Sequence, residues 1–204
     1  MPSFADPIVA VRLHSEGHSG ITLYAPPWED SDGEEWQGFL GDGSKIVLLG
    51  TADELNTWLG DNPDHDLADH PSWPSFESKG KRALEPAEDA DFDLGAVFEL
   101  AADAPDEDTV TRLADLVDMA TRIADCCEDG MLRATLTGTG EYVQLVSGEF
   151  DYTDGKAGAT EWSRLGEAFA ANWDRALGRI DSWLRWEGSS AEVSERSDDD
   201  DSSD

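Results

Sequence analysis

Apolar residues near the N-terminus recur at every second position, which is typical of β-strands with one buried face. One such run covers residues 9–13 and the next covers 21–25, with a turn-like segment over 14–20 between them. Two further strands are predicted over 36–40 and 45–49, and the connection between them contains an Asp-Gly dipeptide, which favours a hairpin turn. The pattern predicts an antiparallel sheet in this part of the chain.

A helix is predicted directly after these strands. Thr51 and Glu54 have the spacing of a capping box, in which each side chain bonds to the backbone N–H of the other residue. Leu55 and Trp58 then lie on one apolar face, and Gly60 is a residue at which helices commonly end. The sequence therefore predicts one helix packed against the N-terminal sheet.

The second half of the chain is dominated by helical periodicity. Apolar residues recur every three or four positions over 107–128 and again over 160–186, which predicts two long amphipathic helices. Asp106 is a candidate cap for the first of them. A shorter helical piece is predicted over 94–101, whereas 131–158 fits either strands or loops because glycines interrupt its pattern.

These elements predict an α+β protein with an N-terminal antiparallel sheet and one helix, followed by a mainly helical second half. We predict a β-rich α+β unit over 1–76 and a mainly helical region over 77–187, which form either one domain or two lobes. Residues 188–204 are almost entirely polar and acidic, which predicts a disordered tail.

Charge is the strongest compositional feature of the chain. Its 204 residues include 46 acidic and 14 basic side chains, which gives a formal net charge of −32. Such a surface repels phosphate backbones and anionic lipid, so direct binding to nucleic acid or to a membrane is disfavoured. It favours a protein partner with a basic surface, and the alternative is an acidic surface that serves only solubility.

The composition of the N-terminus and the positions of the cysteines indicate the cellular compartment. Residues 1–7 lack the basic and apolar regions of a secretory signal, and no run approaches the roughly 20 apolar residues of a membrane span. Cys126 and Cys127 are adjacent within a helical pattern, which disfavours a structural disulfide. We therefore expect a cytoplasmic protein.

One short segment has the residue types of a metal site. His65 and His70 are five positions apart and are flanked by carboxylates, among them Asp66, and these groups bind divalent transition metals. The five-residue spacing does not place both imidazoles on one helix face, and prolines bracket the segment. The segment is therefore either a divalent-metal site or a structural turn, and the sequence does not decide between these two interpretations. No other cofactor is expected.

Motifs for catalysis are absent from the sequence: it has no nucleophile elbow, P-loop, dinucleotide fingerprint or H-E-x-x-H helix. Trp28 and Trp36 flank an acidic segment over 29–35, and aromatic rings beside carboxylates suit a basic partner. The alternative is that both tryptophans belong to the core. The favoured function is non-enzymatic protein interaction or regulation, and the first alternative is a metal-binding protein or metal-dependent enzyme.

A second alternative is mimicry of DNA. The net charge of the chain is comparable with that of a duplex as long as a compact body of this size, at one phosphate charge per about 1.7 Å. A mimic must concentrate its charge on one surface, however, and here the carboxylates are scattered through every segment.

Several segments resemble an actinobacterial family of uncharacterised acidic cytosolic proteins, some of which are automatically labelled "primosomal protein". The resembling segments, which spread over roughly residues 8–187, are 23–28, 35–41, 62–73, 85–89 with 92–94, and 161–164. The resemblance implies a cytoplasmic protein with no catalytic residues to transfer. The label implies a link to DNA replication, which this charge would allow through protein contacts rather than through DNA contacts.

Overall fold

The structure is a computed structural model that describes residues 7–29 and 35–187. The strands of this part of the chain are β1 (Val9–Ser15), β2 (His18–Glu29), β3 (Glu35–Phe39), β4 (Ile46–Leu49), β5 (Asp91–Asp93) and β6 (Leu184–Glu187). Its helices are α1 (Ala52–Asp61), α2 (Trp73–Ser78), α3 (Val97–Ala102), α4 (Glu107–Cys126), α5 (Gly130–Gly138), α6 (Gly140–Ser147) and α7 (Gly155–Asp181). The predicted disordered tail over 188–204 lies outside the described residues.

The strands form one mixed sheet in the order β5-β1-β2-β4-β6, and β3 pairs with β2 off this path. Strand β2 runs antiparallel to β1, β3 and β4, as the N-terminal pattern predicts. The outer strands β5 and β6 come from the second half of the chain and run parallel to β1 and β4. The α+β prediction is confirmed, whereas the division into units at residue 76 stays a prediction.

Two tight turns depend on left-handed backbone. The β1–β2 connection turns at Glu16 and Gly17, whose φ angles are 47° and 80°. Gly43, between β3 and β4, has a φ of 81°, so the Asp-Gly dipeptide does form a tight turn. The predicted hairpin is wrong, however, because β3 and β4 both run antiparallel to β2 and hence in the same direction, and the bridge between Gly41 and Ile46 closes the turn. A side chain at Gly17 or Gly43 would strain the turn, because residues with a Cβ rarely adopt positive φ.

Apolar cores lie on both faces of the sheet. Val11, Leu13 and Tyr24 belong to the larger core, which includes residues of α3 to α7. Ala10 and Leu23, their neighbours along the strands, belong to the smaller core, which includes residues of α1 and α2. Since alternate residues of a strand point to opposite faces, the sheet is covered by helices on both sides.

Two helix starts have the caps that the sequence predicts. Thr51 and Glu54 form the reciprocal capping box at the start of α1, as expected. At the start of α4, the Asp106 carboxylate accepts a hydrogen bond of 2.8 Å from the Thr109 N–H. Each cap satisfies an N–H group that has no partner within its own helix.

The open prediction for 131–158 is wrong, because both its strand and its loop alternatives miss two helices, α5 and α6. The Asp129 carboxylate begins α5 by accepting from the N–H groups of Met131 and Leu132. The last long helix also begins and ends five residues before its predicted bounds, and Leu184 belongs to a strand.

Membrane crossing by a helix has no support in the described ranges. None of the helices within 7–29 and 35–187 combines the length and the apolar character that a bilayer span requires.

Candidate partner-binding site

An open pocket lies beside β3. Its volume of about 720 Å³ is within the range of ligand-binding clefts. One wall is the end of α4, at residues 126–128, and the opposite wall is the segment 66–71. Residues 36–39 of β3 run between these walls, and the β3–β4 turn with Trp183 closes one end. The pocket therefore brings together four segments that are far apart in sequence.

Tryptophan rings give the pocket its apolar surface. Trp28 of β2 and Trp36 of β3 are opposite each other in the strand register, and both line the pocket. Trp36 is 50% exposed, which is unusual for a side chain of this size. The prediction that these two tryptophans serve partner binding stays a prediction, although the structure places both at this pocket.

Carboxylates outnumber cations around the pocket. Asp69 and Glu128 are exposed side chains on opposite walls. Asp66 also lines the pocket, and its carboxylate accepts a hydrogen bond of 3.0 Å from the Gly43 N–H. Lys45 donates to the backbone carbonyl of Ser182 and lies 5.8 Å from the centre of the Trp183 ring. The charge that remains for a ligand is therefore negative.

The segment 66–71 is held against the β3–β4 turn by backbone contacts. The Asp66 N–H donates to the Gly41 carbonyl oxygen at 3.1 Å. A Cβ at Gly41 would lie 2.6 Å from both Asp66 Oδ2 and the Lys45 carbonyl oxygen, so only glycine fits there. This close approach fixes one wall of the pocket relative to β3.

His65 and His70 each stabilise a bend of the chain around this segment through a hydrogen bond to the backbone N–H two residues further along. Nδ1 of His65 accepts from the Leu67 N–H at 3.2 Å, and Nδ1 of His70 accepts from the Ser72 N–H at 3.0 Å. Both side chains are buried, and burial lowers the pKa of each imidazole. Each neutral ring therefore carries its hydrogen on Nε2.

The two rings have different aromatic neighbours. The His65 ring packs edge-to-face with Trp73 at 4.3 Å, whereas His70 packs edge-to-face with Trp28 at 4.2 Å. Within 7–29 and 35–187, no group of three or more His, Cys, Asp or Glu side chains is placed to hold a metal ion. The divalent-metal site at His65, His70 and Asp66 stays a prediction, which zinc titration with His65→Ala as the control would test.

The cysteines at the end of α4 are free thiols that line the pocket. Burial raises the pKa of Cys126 to about 12 and that of Cys127 to about 11. Since the thiolate is the reactive form, neither side chain is activated as a nucleophile at neutral pH.

A buried ion pair next to the pocket was not predicted from the sequence. Asp129 is 3% exposed, and its carboxylate accepts from the guanidinium of Arg179 at 2.6 Å and from the Trp183 indole N–H at 2.9 Å. The same carboxylate caps α5, so it orients both this helix and the Trp183 ring that closes the pocket. No local pattern could reveal this contact, because its partners are 50 or more residues apart.

A second polar network supports β3 from the side of the larger core. Arg122 donates to the Tyr24 hydroxyl at 2.8 Å, and that hydroxyl donates to Oε1 of Gln37 at 3.0 Å. Asp118 pairs with Arg122 one helical turn away, at 2.8 Å. Burial raises the pKa of Tyr24 to about 12, so the phenol keeps its proton and its donor role. The network links β2, β3 and α4 behind the pocket.

Comparisons with known proteins identify the domain type. A family model for the SatS C-terminal domain matches residues 8–181. The crystal structure of the SatS C-terminal domain in complex with bromine superimposes with a TM-score of 0.63 and 24% sequence identity, over 89% of this chain and 94% of that chain. At this identity the structural likeness shows the fold alone. No curated protein matches the chain, and the actinobacterial and primosomal parts of the resemblance stay predictions.

Proposed function

Because the chain belongs to the SatS C-terminal domain family, we propose one function for the matched unit: it binds a basic segment of a partner protein, without catalysis, in the pocket beside β3. The observation that carries this proposal is the combination of exposed carboxylates and tryptophan rings around one open cavity.

Charge favours a basic partner at long and short range. The net charge of −32 attracts a cationic surface during the encounter, and this steering weakens as salt is added. At the pocket, Asp69 and Glu128 face a ligand from opposite walls. Cationic side chains of a bound segment would each have a carboxylate to approach on either wall.

The tryptophans supply binding energy that charge alone does not. Aromatic side chains are enriched among the residues that dominate protein interfaces, and a cation over an indole ring gains up to about 2 kcal/mol when it is desolvated. Trp36 is half exposed at the pocket, so a partner can bury it without unfolding the sheet. A segment that combines cationic and apolar residues fits this surface best.

The chemistry of the pocket suits binding better than covalent catalysis. The thiols that line it have pKa values of about 11 and 12, and so they remain protonated. The imidazole of His70 is buried, and its Nδ1 is engaged with the backbone of the same segment. The two thiols and the His70 ring therefore contribute to the walls of the pocket and not to a reaction.

The partner can be sought with the chain as bait in lysate of the source organism, followed by quantitative mass spectrometry. Three baits are compared: the wild type, the pocket variant Asp69→Asn/Glu128→Gln, and the control variant Glu167→Gln/Asp174→Asn. The control removes two exposed charges of α7 outside the pocket, so both variants have the same net charge. We expect basic proteins that the wild type and the control retain and the pocket variant loses.

Retention of the same proteins by all three baits would contradict the proposal, because binding would then follow net charge and not the pocket. By the resemblance described above, proteins of DNA replication are the first class to examine among those retained.

A further inference from the structure

The pocket follows the edge of a strand rather than its face. Trp36, Gln37, Gly38 and Phe39 are consecutive residues of β3, and all four line the cavity. Successive side chains of a strand point to opposite faces of a sheet, so a cavity over one face would meet only every second residue. A cavity that meets all four must run along the hydrogen-bonding edge.

The walls of the pocket support the same geometry. Residues 126–128 lie at the end of α4, on the side of the larger core, whereas Leu67 of the opposite wall belongs to the smaller core. The walls therefore rise from the two faces of the sheet, with the edge of β3 between them. Among the described strands, β3 pairs only with β2, on its other side.

An edge strand presents backbone N–H and C=O groups that can pair with another extended chain. In an antiparallel pair, the hydrogen bonds of alternate residues point toward the partner and away from it, so about half of the amides of β3 face away from β2. At about 3.4 Å per residue, β3 offers an edge of roughly 17 Å, enough for a segment of about five residues.

We propose that the basic segment binds in this pocket as an extended strand that pairs with the open edge of β3. This inference rests on the function proposed above and specifies how the segment is held. Main-chain hydrogen bonds to β3 position the segment, and its alternating side chains then point to opposite walls. Cationic side chains approach Asp69 and Glu128, and apolar ones contact the tryptophan rings.

Charge decides between possible occupants of the edge. A second copy of this chain carries a net charge of −32 and is repelled. The C-terminal sequence of the chain contains Asp198–Asp201 and is repelled by the carboxylates of the pocket in the same way. A cationic segment of another protein is the extended chain that the edge and the walls both favour.

The test uses a fluorescently labelled ten-residue peptide that repeats the order lysine, lysine, valine, valine, so that lysines occur on both faces of the strand and can approach both walls. Two N-methylated forms are compared with it: one is methylated at the backbone nitrogens of its odd-numbered residues and the other at those of its even-numbered residues. Because alternate amides of a strand lie on opposite edges, each form blocks one edge and leaves the composition of side chains unchanged. Affinities are measured by fluorescence anisotropy with the full chain.

We expect one methylated form to bind at least about 10-fold more weakly than the parent peptide and the other to stay within about 3-fold, since several main-chain hydrogen bonds are lost on one edge only. Equal affinities of the two methylated forms would overturn strand pairing, while binding of the parent peptide would still support the proposed function. Failure of the parent peptide to bind would instead count against the proposed function itself.

Hydrogen exchange of the protein gives a second readout. On addition of the parent peptide, amides within Gln37–Phe39 that face away from β2 should exchange at least about 10-fold more slowly, because they become hydrogen-bonded. The amides of β1, which already pairs on both sides, serve as the internal control. Protection confined to residues of the two walls would contradict pairing with β3.

Discussion

Glu128 and Asp129 are adjacent carboxylates with opposite roles. Asp129 is buried, and its oxygens accept hydrogen bonds from Arg179, from Trp183 and from the start of α5. Glu128 is exposed at the pocket, and its own N–H donates to the Asp125 carbonyl at the end of α4. One position along the chain separates an acid that stabilises the fold from an acid available to a ligand.

This contrast shows why the count of acidic residues does not locate a function. The chain has 46 carboxylates, and the net charge describes all of them alike. The partners of each carboxylate distinguish them: a guanidinium and backbone N–H groups for Asp129, and solvent for Glu128 and Asp69. The proposed site is defined by the second kind of acid next to exposed aromatic rings.

The largest expected effect is on folding, at the buried acid. Asp129→Ala leaves Arg179 without its ion-pair partner and α5 without its cap, and should lower the free energy of unfolding by about 3 kcal/mol. Glu128→Ala is the matched control and should change it by less than about 0.5 kcal/mol. Urea titration at pH 7 measures both. A loss at Glu128 as large as that at Asp129 would remove the contrast.

The stabilising role of Asp129 should also appear in the pH dependence of the free energy of unfolding. Burial raises the pKa of Asp129, but hydrogen bonds from Arg179 and Trp183 outweigh it and lower the pKa from 3.8 to about 2. A carboxyl whose pKa is lowered on folding stabilises the protein above the unfolded pKa, and this stabilisation disappears as the pH falls through the folded pKa. Between pH 5 and pH 2 the wild type should therefore lose about 2 kcal/mol more stability than Asp129→Asn. Parallel pH profiles for the two proteins would contradict this assignment.

A smaller effect is expected on binding, at the exposed ring. Trp36→Ala should weaken the lysine–valine peptide about 10-fold, because a half-exposed tryptophan at a partner site is a typical hot-spot residue. Phe98 is 38% exposed and lies on α3 outside the pocket, so Phe98→Ala is the control and should leave the affinity unchanged. Anisotropy titrations measure both variants. Equal losses would show that the effect is not specific to the pocket.

The smallest effect on stability is expected at Asp181, a carboxyl whose pKa is raised by burial. Burial raises the pKa of Asp181, at the end of α7, although contact with Ser15 acts in the opposite direction. A carboxyl whose pKa is raised on folding costs stability once the pH exceeds the folded pKa, and it costs nothing below the unfolded pKa. Asp181→Asn should therefore raise the thermal midpoint slightly at pH 7 and leave it unchanged near pH 3. A lower midpoint at pH 7 would contradict the direction of this pKa shift.

Local signals in the sequence account for the elements that were predicted well. The capping box of Thr51 and Glu54, the Asp106 cap and the apolar stripes of α4 and α7 all depend on residues within a few positions of each other. Strands β1 to β4 likewise follow from alternation and from short turns. These features are encoded nearby in the chain, so their types are predictable from it.

Non-local contacts account for what was missed. β5 and β6 are three and four residues long and exist through parallel pairing with β1 and β4, far away in sequence. The helices α5 and α6 are only nine and eight residues long, so both depend on packing for their stability, and α5 depends also on the Asp129 cap.

The candidate site was predictable only in part for the same reason. Trp28, Trp36 and His70 stand out in the sequence as aromatic or metal-binding residue types, and the structure places all three at the pocket. Nothing in the sequence separates Glu128 from the other acids or Trp183 from the other tryptophans, because their role depends on the ends of α4 and α7 meeting beside β3. A pocket between four distant segments has no local pattern.

The most direct test of the account is a calorimetric titration of the lysine–valine peptide into three proteins of known charge. The pocket variant Asp69→Asn/Glu128→Gln should bind about 5- to 10-fold more weakly than the wild type, whereas Glu167→Gln/Asp174→Asn should match the wild type within about 2-fold. Equal affinities for all three proteins, falling together as salt is added, would show that the peptide senses only net charge and that the pocket is not the binding site.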